Sequence, residues 1–108
     1  MAEKIALRSL STEQVSQAAW IGDAVLSLYA RSKILREDGR LNGEKCVRMT
    51  SNQFLSTIGE PTRVEAEIGR VYQHAGLQAA FAFIEEYLMP VFERQEENRR
   101  RNLPANSR

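Results

Sequence analysis

Asp23 and Glu65 are the carboxylates whose setting in this chain points to chemistry. Asp23 interrupts the apolar run AWIGDAVLSLYARSKIL, where an unpaired buried carboxylate is costly, and Gly22 before it is a poor helix former. Two readings of the pair stand open. Either Gly22 breaks the helix and Asp23 caps a piece starting at Ala24, or Gly22 admits another helix while Asp23 points into a cleft as a metal ligand. Glu65 lies in PTRVEAEIGRVYQHAG beside the stripe Val64, Ile68, Val71 and Tyr72, with Glu67 elsewhere on the helix. An acid in a first helical turn also suits the helix dipole, and that alone would account for it. If the two carboxylates converge, they suit a hard cation such as Mg2+, with Mn2+ as a substitute, which takes a few protein oxygens and keeps several waters. Such an ion activates water and stabilises a phosphoryl transition state. His74 reads as a surface residue near a helix end, and no Ser-His-Asp order, phosphate loop or zinc spacing competes.

The elements that must position these residues are helices. Six Gly and three Pro punctuate 108 residues, β-branched alternation is scarce, and Ala, Leu, Glu, Gln and Arg dominate, so an all-α domain of about five helices is expected. Ser11 or Thr12 followed by Glu13 and Gln14 is a capping signature opening a helix, or a kinked pair, that runs to about Leu35. A polar turn at 37–40 leads to a segment ending near Ile58, with Gly59 as a helix C-cap and Pro61 in the first turn of the next helix. That helix stops at Gly76, and Pro90 kinks or ends the last one. Residues 1–97 read as a single domain, and 98–108 as an Arg-rich, disordered tail.

Composition bounds the class. Cys46 is the only cysteine, so a disulfide scaffold is excluded. No stretch reaches the roughly 18 apolar residues of a membrane span, and a chain with no apolar leader is expected in the cytoplasm or an organelle. The formal net charge of +1 hides a partition. Residues 31–48 hold six basic and three acidic groups, 60–97 three and eight, and 98–108 four and none. Arg31, Lys33, Arg36, Arg40, Lys45 and Arg48 are thus candidates for nucleic-acid phosphates; a solvated helix face explains the same run.

Several stretches carry a resemblance. AAWIGDAVLSLYARSKIL resembles the signature helix of the ribonuclease III endonuclease domain, SNQFLSTIG its third characteristic stretch, and EAEIGRVYQHAGLQAAFAFI its Glu-Ala-x-Ile-Gly-x-x-Tyr motif followed by a Gly-Leu turn and final helix. The matches run in the family's order over most of Leu10 to Phe92. Ala19 and Thr62 stand where the full-length enzymes carry further acids, and Tyr29 and Arg31 fit the Tyr-x-Arg of the compact Mini-ribonuclease III branch, which lacks a double-stranded-RNA-binding domain.

The resemblance implies a magnesium-dependent endoribonuclease for double-stranded regions of structured RNA, with ribosomal RNA precursors and ribosomal components as the expected context. Asp23 and Glu65 would be its catalytic and metal-binding residues. It also implies a symmetric homodimer whose signature helices meet across a two-fold axis, with Trp20 as the inserting aromatic residue and Gly22 beside it in the interface. A monomeric core tryptophan is the other reading of Trp20. The chain departs from the family between Gly59 and Pro61, where a helix and a basic loop are usual. That departure gives a second expectation, a catalytically weakened or inactive dimer of the same fold that binds RNA or a ribonucleoprotein.

Overall fold

The computed structural model describes residues 9–103, and over them the chain forms helices and no strand. There are six helices where about five were expected, one of them a single turn: α1 (Thr12–Asp38), α2 (Gly43–Thr50), α3 (Asn52–Leu55), α4 (Pro61–Ala75), α5 (Leu77–Tyr87) and α6 (Met89–Arg101).

Local signals account for most of the boundaries. Ser11 caps α1 through a reciprocal capping box with Gln14, so two orphan amides at the helix start are satisfied at once. Gly39 ends α1 in the left-handed region, at φ 72°. Between these caps the helix is unbroken. The expected break at Gly22 and the end near Leu35 are both corrected, and with them the reading of Asp23 as a helix cap. Ser51 splits the segment after the polar turn, closing α2 and capping α3. Gly59 is not a left-handed C-cap, since Gly39 and Gly76 are the positive-φ glycines among the described residues. Instead the Glu60 carboxylate accepts from the Thr62 and Arg63 amides, with Pro61 in the first turn as expected. Pro90 likewise falls in the first turn of α6, after α5 has ended. The disorder expected from 98 is corrected for its first part, because α6 continues through Arg101; residues 104–108 lie outside the described residues.

The core gathers where α1 passes over the other helices. Leu26, Met49, Leu55, Ile68, Ile84, Leu88 and Phe92 are fully buried. Tyr29 meets Phe81 edge to face, as Phe54 meets Phe92, the ring centroids lying 5.3 and 5.4 Å apart. Tyr72, expected on the core face of α4, is 40% exposed. A second, smaller cluster of Ala18, Ala19 and Ala66, with Leu10 and Val15 against it, fills the seam between α1 and α4. That seam carries the candidate site. Among the described residues no helix is long and apolar enough to cross a membrane.

Candidate functional site

Gly22 lies in the middle of α1 because a second backbone occupies the space a side chain would take. A Cβ placed on Gly22 would fall 1.7 Å from the Glu65 carbonyl oxygen and 2.9 Å from the Gly69 amide nitrogen. The contact is reciprocal: a Cβ on Gly69 would fall 1.9 Å from the Ala18 carbonyl oxygen. The helices therefore run antiparallel at backbone contact, with Ala18 and Ala66 as the small neighbours of the crossing. Gly22 is consumed by this contact inside one chain, which corrects its expected place in a dimer interface.

Asp23 follows Gly22 and projects to the exposed flank of the seam; Glu65 reaches the same flank from α4 and is partly buried. The two carboxyl groups are hydrogen-bonded to each other. Burial, then that hydrogen bond and the charge of Asp23, and last the charge of Glu60, push the Glu65 carboxyl up from an ordinary 4.5 to about 7. Ionising Glu65 beside Asp23 is costly because two like charges would then lie side by side in a partly desolvated seam.

The donor set suits a hard divalent cation. Among the described residues no group of three or more His, Cys, Asp or Glu side chains is placed to hold a metal, so a cation at the pair would take two carboxylates from this chain and the rest of its shell from water. Its positive charge would also offset the repulsion that raises the Glu65 pKa. Glu67 lies apart, on the rim of a cavity of about 510 Å³ between α4 and α5 lined by Arg63, Phe83 and Tyr87. His74 sits at the far end of α4 against Arg70, 3.0 Å away.

The six basic candidates divide. Lys33 is 5% exposed, with Nζ 2.8 Å from Glu37 and 3.2 Å from Glu93. Burial alone would lower its pKa, but these two hydrogen-bonded carboxylates hold it above the ordinary lysine value. Arg48 is engaged by Glu96 through two hydrogen bonds of 2.8 and 2.9 Å, and Lys45 lies 3.3 Å from Asp38. Lys33 and Arg48 are thus corrected from phosphate contacts to internal ties between α1, α2 and α6. Arg31, Arg36 and Arg40 are exposed; Arg31 rests on the Ser27 hydroxyl, and Arg36 is 4.0 Å from Glu37. Nothing in sequence spacing marks Glu93 and Glu96 as the acids that occupy these cations. Gly69 was also legible only as a motif letter, four residues after Glu65, and its contact with Ala18 is a tertiary fact.

Trp20 is 79% exposed, which removes the core reading of this residue within one chain. It shares the outer face of α1 with Leu28 and Leu35, and Leu41 and Val47 extend the apolar surface beside α2. Tyr29, by contrast, is buried and donates its hydroxyl to Glu85, and burial together with that carboxylate raises its pKa.

Known family models, curated proteins and solved structures give no match to this chain. What fold and site define is an all-helical domain with a paired-carboxylate centre at a close helix crossing.

Proposed function

We propose that this chain is a divalent-cation-dependent endoribonuclease of the ribonuclease III kind, cleaving double-stranded regions of structured RNA as a symmetric dimer. The observation that carries the reading is the meeting of Asp23 and Glu65: two acids from separate motifs come within hydrogen-bonding reach of each other at a helix crossing. Ribosomal RNA precursors are the substrate class that the motif resemblance suggests.

In this reading Asp23 and Glu65 hold Mg2+ or Mn2+. The chemistry supplied by the ion, when bound, is Lewis-acid stabilisation of the phosphodiester and a lowered pKa for water in its shell. The residues themselves bind and orient: Asp23 and Glu65 would hold the ion through their carboxylate oxygens and fix its place at the helix crossing. Cleavage is an in-line attack of water on phosphorus with the 3′-oxygen leaving, so the products carry a 5′-phosphate and a 3′-hydroxyl. Arg36 and Arg40 meet backbone phosphates, which adds affinity without base specificity, while Arg31 lies on the rim of the groove between α1 and α2. The apolar outer face of α1 packs on its copy across a two-fold axis, and Trp20 enters the partner's groove between α1 and α2, a space of about 450 Å³ beside Leu35, Leu41 and Val47.

The test is cleavage of a duplex RNA in magnesium. Asp23→Asn or Glu65→Gln should abolish it while helicity and dimerisation stay intact, and full activity in either variant would overturn the catalytic assignment. A second reading, an inactive dimer that only binds RNA, is favoured by the short connection from α3 to α4, where the resembled family carries a helix and a basic loop. It predicts duplex binding without cleavage in either magnesium or manganese.

A further inference from the structure

We infer that Gly69, paired with Gly22, is a positioning residue for the carboxylate centre: backbone contact between α1 and α4 sets the separation of Asp23 and Glu65 and makes the pair selective for a small divalent cation. This rests on the reading that the pair binds a cation, and it does not depend on RNA cleavage. The contact could not be more direct, because the atom facing Gly22 is the carbonyl oxygen of Glu65 itself. Ordinary contact begins at 3.4 Å, so a methyl at Gly22, now 1.7 Å from that oxygen, forces a movement of about 1.7 Å on one ligand residue. A methyl at Gly69, 1.9 Å from the Ala18 carbonyl oxygen, demands about 1.5 Å at the same seam.

Asp23 has a short side chain with two rotatable bonds and cannot follow such a shift, so the correction falls on Glu65. Mg2+ demands near-octahedral oxygens at roughly 2.0–2.1 Å, whereas Ca2+ accepts variable geometry at roughly 2.3–2.6 Å. Splaying the helices should therefore penalise the smaller ion more. A glycine that served stability alone would not separate the two ions.

The experiment follows side-chain carboxylate 13C signals of the full chain during titration with MgCl2 or CaCl2, with folding checked by circular dichroism. Gly69→Ala should weaken Mg2+ binding at least tenfold and Ca2+ binding no more than about threefold. Ile84→Ala, which opens a cavity in the core away from the pair, should leave both within twofold. Ala18→Ser adds one heavy atom to the same seam and should shift the ion preference in the same direction; it decides the matter if Gly69→Ala does not fold. Wild-type binding of Mg2+ with an equal loss, or no loss, of both ions in the folded seam variants overturns the positioning role alone. Binding of neither ion by the wild type overturns the cation reading with it.

Discussion

At the residue scale, a carboxylate with a raised pKa gives the folded state a sign that can be measured. Glu65 binds its proton more tightly when folded, at about 7, than at the ordinary 4.5 expected once unfolded. Its contribution to stability is therefore fully present below about 4.5 and is lost as pH rises through about 7. Glu96 has the opposite sign, since its hydrogen bond with Arg48 holds its pKa below the ordinary value and its contribution is lost as pH falls. Comparison of wild type with Glu65→Gln isolates the first effect: denaturant unfolding at pH 5 and pH 8 should show the wild type losing stability relative to the variant across that interval. A flat difference would mean that the Glu65 pKa is not raised in the folded state. Lys33 offers a second contrast. Lys33→Met removes one partner and leaves two acids behind, but Glu37 and Glu93 are about half exposed and water can solvate them, so the change should cost about 1 kcal/mol of stability and leave RNA affinity unchanged. Arg36→Ala, which removes an exposed cation, should lower the dependence of log affinity on log salt by about one unit. Binding isotherms at several salt concentrations read both.

At the scale of elements, the boundaries follow from caps more than from hydrophobic periodicity. Ser11, Asn42 and Ser51 each place a side-chain oxygen on an amide of the following helix, and Glu60 does so twice. Ser11→Ala should cost about 1 kcal/mol, seen as a lower denaturation midpoint with an unchanged slope, because the capping box is lost while the rest of α1 keeps its packing. Local rules failed at Gly22 for a physical reason. An isolated helix is weakened there, but backbone contact with α4 compensates where any larger residue would forbid it. The failure at Arg99–Arg101 has another source. Glu97 pairs with Arg100 and Arg101 within one helical turn, and such pairs support a helix whose composition alone reads as a solvated tail.

Across the whole molecule, the outer face of α1 carries large apolar side chains that one chain leaves uncovered. Trp20, Leu28 and Leu35 are exposed on a helix whose inner face is buried, and isolated monomers rarely present so many large apolar side chains together. If this face pairs with a second copy, Trp20→Glu should turn a dimer into a monomer in sedimentation velocity while the monomer's helicity is unchanged. A wild-type monomer at micromolar concentration would remove the interface. Charge is arranged on the same scale. The acids of 60–97 are not a field around the proposed cation alone, since Glu93 and Glu96 neutralise Lys33 and Arg48. Exposed cations remain at Arg31, Arg36 and Arg40.

By itself the sequence determined the helical class, most of the caps and the two acids worth watching, because each of these depends on residues a few positions apart. Composition, a capping box or a proline in a first turn acts over one or two turns of chain. Only the tertiary structure decided whether Asp23 meets Glu65, why Gly22 and Gly69 face each other, and which cations are already occupied by acids far along the chain. Those facts arise from two helices touching at their backbones and from long side chains reaching across the packed elements.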